Sequence, residues 1–434
     1  MTIKSLIQGI SECSCGRDHR CPVDAIEIGE GALLRLPELC KPYRHILMVA
    51  DPNTYEAAGK RAEALLKERL PGAVERVLIL ESAGEVVIPN EETIAQVDEA
   101  MSEETDLLIG VGSGVINDLC KYTSFFSNLP YFIVATAPSM DGFVSVGAAM
   151  ILEGMKVTVN TRPPKAVIGD VSILKEAPIP MLQAGYGDII GKFSCLNDWL
   201  LAKEVRGEYF CETVYGLTMD CAKTVAGLAE GVLQRDPKAV QALMEALIKV
   251  GVAMSYVDCS RPASGSEHHL SHYFEIRGIL EHRPYFAHGI DVAYASVVTA
   301  QIRDAILSET ENGRIPAYLP RKREAWEKDI RRIYTTSADG VLALQQKLGW
   351  YEADEEASKA LAAKWERIRE ILKIAPREAE ARQLVEAIGL SMQEFKTMYG
   401  KAWIDDAILY AKDLKDRYSV LWLWYEYFRR ETVD

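Results

Sequence analysis

Positive charge is in deficit: 49 Lys and Arg stand against 63 Asp and Glu, a formal net charge of −14 over 434 residues. Nucleic-acid binders need a net basic face, so no nucleic-acid partner is expected. Long apolar runs are missing too. None approaches the roughly 18–20 residues of a bilayer crossing, so no membrane span is expected. The opening MTIKSLIQGISECS has no apolar core followed by a small-residue cleavage site, and no signal peptide is expected. Internal repeats and low-complexity segments are absent, which excludes solenoids and disordered tails. Nine cysteines, an odd number in a long chain, fit thiols in a reducing compartment better than a disulfide framework, and the expected location is the cytoplasm.

What is present is a globular composition, 48 % hydrophobic and 26 % charged, in a chain suited to two domains of roughly 150–250 residues each. Residues 1–175 alternate between strand and helix. Strands are expected at His45–Ala50, Val74–Leu80, Asp106–Val111, Tyr131–Thr136 and Ala166–Gly169, several of them unbroken apolar runs of the kind buried on both faces of a parallel sheet. Helical spacing fills Asn53–Leu70 and Val115–Phe126, and Met150–Leu152 with Lys156–Asn160 reads as a hairpin across Glu153-Gly154. After Pro178-Ile179-Pro180 the pattern is helical, in Ala239–Met254, Asp354–Ile374 and Met392–Trp424, the last broken near Gly400. The expected architecture is a doubly wound, Rossmann-like α/β domain over 1–175 and an all-α domain over 176–434. The aromatic stretch Tyr418–Phe428 reads as a helix packed on the core or on another subunit, and points to a homodimer or higher homo-oligomer.

Four groups of residues carry possible chemistry. Gly110-Val111-Gly112-Ser113-Gly114 follows a strand and opens a helix, the arrangement in which backbone N–H groups receive a phosphate. It lacks the Lys-Ser/Thr ending of a Walker A loop and the third glycine of G-x-G-x-x-G; Asp118 and Lys121 follow it. Thr136-Ala137-Pro138-Ser139-Met140-Asp141-Gly142 stands at the carboxyl end of the next strand, where ligands of open α/β sheets gather, although the same residues make a capped turn. Five of seven histidines lie between 268 and 288. His268 and His272 share a helical face, and with His288 and Asp188 they offer donors for Zn²⁺, Ni²⁺ or Fe²⁺. Spacing alone favours His268 and His272 as the ligand pair, against a metal-free reading in which all are ordinary core or surface histidines. Cys13, Cys15, His19 and Cys21 fall within nine residues, a spacing poor for paired zinc knuckles and open between a second metal and free thiols.

Taken in order, Gly110–Lys121, Thr136–Ser145, Ala166–Lys192, Ser264–His272 and His288–Val292 resemble the sn-glycerol-1-phosphate dehydrogenases, within the superfamily of dehydroquinate synthases and iron-containing alcohol dehydrogenases. Cys-Ser-Cys-Gly-Arg-x-His near the N-terminus points to the bacterial branch. The resemblance implies a dehydroquinate synthase-like fold and a cofactor, NAD(H) or NADP(H), bound by Gly110, Gly112, Ser113, Gly114, Asp118, Thr136, Ser139 and Ser145. It implies one divalent metal, Ni²⁺, Zn²⁺ or Fe²⁺, on Asp188, His268 and His288. His272 then contacts substrate rather than metal, and moves the hydroxyl proton, while Asp141 binds a substrate hydroxyl. The implied reaction is hydride transfer at C2 between sn-glycerol 1-phosphate and dihydroxyacetone phosphate, a small-molecule substrate pair. Val111 departs from the three consecutive glycines of many relatives, and His269 offers a rival ligand one position away. Asp51, at the end of a strand, is a candidate for the adenosine ribose; it favours NAD, although the usual acid follows the glycines. Rival readings are a glycerol or other alcohol dehydrogenase, a dehydroquinate synthase-type lyase, and a non-catalytic binding protein.

Overall fold

The computed structural model describes residues 1–81, 87–153, 155–319, 322–349 and 361–429. Contacts divide the chain into two compact units, Met1–Ile189 with Gly227–Ser260, and Ile190–Ala226 with Arg261–Asp434. The strands are β1 (Ala25–Gly29), β2 (Ile46–Ala50), β3 (Val74–Ile79), β4 (Leu107–Gly112), β5 (Tyr131–Ala135), β6 (Gly147–Leu152), β7 (Met155–Asn160) and β8 (Ala166–Asp170). The helices that carry or support functional residues are, in chain order, α1 (Gly114–Phe126), α2 (Ile179–Ile190), α3 (Lys192–Arg206), α4 (Pro237–Val257), α5 (Ser266–Glu281), α6 (His288–Glu309), α7 (Met392–Tyr410) and α8 (Val420–Tyr427).

In the first unit six strands form a sheet ordered β1-β8-β5-β4-β2-β3, parallel at every pairing. Strands β2, β4, β5 and β8 are buried at every residue, which explains their unbroken apolar sequences. Ile46, Met48, Ile109, Val111, Val134 and Ile168 form the centre of one core. β6 and β7 pair antiparallel as a hairpin. Glu153 takes a positive φ of 53° at its turn, while Gly154 lies outside the described residues. The chain leaves β2 for β3 on one side and returns to β4 on the other. The carboxyl ends of β2 and β4 therefore flank a topological switch point, where doubly wound sheets open a ligand crevice.

The units differ from a single cut at residue 175. α4 belongs with the sheet, packing against β1 and against the short helices before and after the strands. Among the described residues α4 is also the one helix long and apolar enough to cross a bilayer, yet 78 % of its most apolar window is buried. Its hydrophobicity is that of a helix enclosed on nearly all sides.

In the second unit α5 packs on α3 and α6. α7 breaks at Gly400, whose φ of 67° and ψ of 166° leave the helical region. The part of Asp354–Ile374 before residue 361 lies outside the described residues, and a helix covers Trp365–Leu372. The aromatic tail is internal: Tyr418, Trp422 and Trp424 are at most 1 % exposed. Packing within the chain accounts for those rings, so they carry no argument for a partner subunit.

Candidate active site

Within the first unit the phosphate-loop candidates and the Thr136–Asp141 segment meet at the carboxyl edge of the sheet. Thr136 donates its N–H to the Gly112 carbonyl at 3.0 Å, and the hydroxyls of Ser113 and Ser139 are hydrogen-bonded to each other. Ser113 begins α1 without a side-chain cap, which leaves the helix start to be satisfied by an anion or water. Two of the glycines also have a packing reason. A Cβ on Gly112 would stand 2.5 Å from Ile116 Cβ and Cγ1, and one on Gly110 would stand 3.0 Å from Cys120 Sγ. Both let α1 lie close on β4. Gly112→Ala is expected to cost about 1–3 kcal/mol by overpacking, read as a lower urea midpoint; an unchanged midpoint would show slack in that contact.

Asp51 ends β2 beside the switch point. One of its oxygens accepts from the Thr54 N–H at 2.8 Å, and its own N–H donates to Thr54 Oγ1 at 2.9 Å. The carboxylate thus caps a helical turn. Asp118 gives its oxygens to Lys121 Nζ at 3.2 Å and to the Ala149 N–H at 3.2 Å. Lys121, fully buried, donates to the carbonyls of Gly142 and Gly147, both at 2.8 Å, and to Ser145 Oγ at 3.4 Å. Burial pushes the Asp118 carboxyl up and the Lys121 amine down. This pair ties the Gly142–Gly147 loop to α1; the loop's hydroxyl and carboxylate, Ser145 and Asp141, are both buried.

Asp188 is fully buried on α2, and its Oδ2 accepts from the Asp141 N–H at 2.9 Å. That contact requires α2 to lie almost on the loop. Gly185, one turn earlier, makes it possible: a Cβ there would stand 1.8 Å from the Pro138 carbonyl oxygen. From the other side Gly251 of α4 does the same, with a Cβ position 2.8 Å from the Asp141 carbonyl oxygen. Gly185→Ala is expected to cost about 3 kcal/mol, at the upper end for overpacking because the obstacle is backbone. Thermal unfolding measures it; a native Tm would mean the loop can retreat.

Within the second unit three imidazoles converge. The ring of His268 lies 6.1 Å from that of His272 and 5.1 Å from that of His288, and His272 and His288 are 5.3 Å apart. Donor atoms of His268 and His288 are within 4.8 Å of each other. His268 Nδ1 is bonded to Glu267 Oε1 at 2.6 Å, and that oxygen also accepts from the Gly265 N–H at 2.9 Å. His288 Nδ1 meets Ser271 Oγ at 3.3 Å. Each contact occupies Nδ1 and makes Nε2 the donor atom, the usual arrangement around a metal-binding histidine. His269 is fully buried. Burial, together with Arg417, Lys415 and Arg261, holds its imidazole well below the ordinary range. Behind Glu267, Asp198 accepts from the N–H groups of Ser266 and Val420, both at 2.7 Å. Burial and the Glu267 carboxylate push Asp198 up to about 6.

The iron-containing alcohol dehydrogenase family profile matches residues 27–178. A relative from Halalkalibacterium halodurans, named glycerol-1-phosphate dehydrogenase (NAD(P)+), is 30 % identical over 422 residues, 96 % of each chain. The chain belongs to the glycerol-1-phosphate dehydrogenase family. A relative of the same name from Bacillus velezensis is 36 % identical over 73 % of this chain and 79 % of its own. The fold is shared with solved structures such as a 1,3-propanediol oxidoreductase, with a TM-score of 0.62 at 14 % identity over 92 % of this chain and 94 % of that one.

For a member of the glycerol-1-phosphate dehydrogenase family, Glu267 and Ser271 are the residues that sequence reasoning missed. Each orients a neighbouring imidazole through Nδ1. Glu267→Gln is expected to weaken divalent-metal affinity about 10–100-fold, the usual effect of losing such a partner. Competition with a chromophoric chelator measures it; wild-type affinity would mean that His268 needs no such support.

Proposed function

We propose that this chain interconverts dihydroxyacetone phosphate and sn-glycerol 1-phosphate, with NAD(H) or NADP(H) as redox partner and one divalent metal on Asp188, His268 and His288. The observation that carries the reading is the His268–His288 pair, with Nδ1 of each already engaged by Glu267 or Ser271. One buried carboxylate and two imidazoles are a donor set for Ni²⁺, Zn²⁺ or Fe²⁺, and three protein ligands leave room for substrate. When bound, the ion supplies Lewis acidity toward the C2 oxygen and the nicotinamide supplies or accepts the hydride. His272 is half-buried beside the pair. It takes the C2 hydroxyl proton in oxidation and returns it in reduction, a task suited to an imidazole. Asp141, held by the Lys121-anchored loop, accepts a hydrogen bond from a substrate hydroxyl and so selects the face that is reduced. The backbone at Ser113 and Gly114 receives the pyrophosphate, Thr136, Ser139 and Ser145 border the nicotinamide half, and Asp51 lies toward the adenosine ribose.

None of the nine cysteines is in a disulfide, which supports a cytoplasmic location. A homo-oligomer is part of the proposal, to be read by light scattering. The deciding test is oxidation of NADH and NADPH by metal-stripped protein after separate addition of Ni²⁺, Zn²⁺ or Fe²⁺, with chiral analysis of the product. Metal-dependent conversion of dihydroxyacetone phosphate to the sn-1 ester is expected. Turnover of dihydroxyacetone in place of its phosphate would make the chain a glycerol dehydrogenase, and silence with every ketone would end the hydride-transfer reading.

A further inference from the structure

A second group of metal-type donors lies in the first unit, among residues to which the reaction assigns nothing. Donor atoms of Cys13, Cys15 and His19 all lie within 4.8 Å of one another. Cys13 is 7 % exposed and His19 is 1 % exposed. His19 Nε2 is 3.3 Å from Cys15 Sγ, while its Nδ1 meets the Tyr256 carbonyl oxygen at 2.8 Å. A carbonyl can only accept, so Nδ1 carries the proton, and in the neutral ring Nε2 presents its lone pair to the sulfurs. This is the tautomer of a metal-binding histidine backed by an outer-shell carbonyl. The Tyr256 ring stacks on the imidazole at 5.4 Å and 20°, which fixes the ring plane.

The backbone is shaped to bring the three donors together. The Gly16 N–H returns to the Cys13 carbonyl at 2.8 Å, with Gly16 at φ 81°, so both thiols lie on one tight turn. The Asp18 side chain accepts from the Glu12 N–H at 2.9 Å. Ile10 and His19 bridge antiparallel, and Gly9 has no room for a side chain, since a Cβ would stand 2.4 Å from the His19 carbonyl oxygen. Cys21 is not in the group: two extended residues carry it on by roughly 6–7 Å. Two donors sharing a tetrahedral zinc ion at about 2.3 Å for sulfur and about 2.0 Å for nitrogen are about 3.5–3.8 Å apart; His19 Nε2 and Cys15 Sγ are 3.3 Å apart, and every pair in the group is within 4.8 Å.

We propose that Cys13, Cys15 and His19 hold a second metal ion, a structural Zn²⁺ that pins the N-terminal segment to α4, with one coordination position left for a further donor. Two thiolates and an imidazole select zinc over the harder divalent cations, and the ion is redox-inert, as a staple in a reducing compartment must be. The rival is a thiol–imidazole hydrogen-bonded cluster with no ion.

The test uses the full chain, reduced, stripped of metal and reloaded with Co²⁺. Thiolate ligands give cobalt a near-ultraviolet sulfur-to-metal charge-transfer band, whereas Asp188, His268 and His288 contain no sulfur. The band is expected in the full chain and in His268→Ala, and is expected to vanish in Cys13→Ser/Cys15→Ser. Zinc content is expected to fall by one equivalent per chain in Cys13→Ser/Cys15→Ser. A full chain without the band would overturn the proposal, whatever the variants do. So would a band that persists in Cys13→Ser/Cys15→Ser. The reading is independent of the dehydrogenase proposal, because neither absorbance nor zinc content depends on turnover.

Discussion

His268→Ala is expected to leave a folded chain whose kcat/KM with dihydroxyacetone phosphate is at least about 10³-fold lower. Losing a metal's stabilisation of developing charge removes several kcal/mol from the transition state, and each ~1.4 kcal/mol is tenfold in rate. The histidine ring sits against His272 and His288 rather than in the hydrophobic core, so the cavity left is small and polar. Metal analysis and single-turnover kinetics measure the two losses together. His272→Ala separates the roles: it should keep its metal and lose about 10²–10⁴-fold, the range of a general acid–base. His269→Ala should keep both metal and turnover, since His269 is not among the donors that gather with His268 and His288. Metal retained in His268→Ala but lost in His269→Ala would shift the ligand by one position.

Much of this was legible in the sequence for identifiable reasons. β2, β4, β5 and β8 are buried on both faces, and such strands read as continuous apolar runs. β1 is harder to read, because every residue in it is half-buried and Glu27 interrupts it. α4 was readable as a helix but not as part of the sheet unit. A helix buried on nearly every side has no polar face to show which neighbour encloses it. The histidines stood out by clustering, yet the Glu267 support did not: adjacent helical positions ordinarily point apart, so spacing arguments pass over a Glu-His dipeptide. The glycines of the loop were visible as a turn, whereas the packing of Gly110 and Gly112 against the Ile116 and Cys120 side chains exists only in three dimensions.

Asp118 and Lys121 show how one motif supports two roles, and Lys121→Met tells them apart. As a cofactor contact, Lys121 would affect KM for the nucleotide with little change in stability. As the structure has it, Nζ is fully buried on two carbonyls and one carboxylate. Methionine keeps the packing but leaves Asp118 without its counter-charge. Removing one member of a buried pair costs about 3–5 kcal/mol at a pH where the survivor stays charged. The loss should depend on pH in a definite direction. Burial already raises the Asp118 carboxyl above its ordinary value of 3.8, and without Lys121 it rises further. The folded variant therefore binds a proton that the unfolded chain has released, so its stability falls as pH rises through that window and recovers on acidification. Urea midpoints of wild type and variant at several pH values measure this. A Lys121→Met chain of wild-type stability with an impaired nucleotide KM would assign the residue to the cofactor instead. The expected result is the reverse: a much less stable chain in which Asp141 and Ser145, on the loop that Lys121 anchors, lose their positions together.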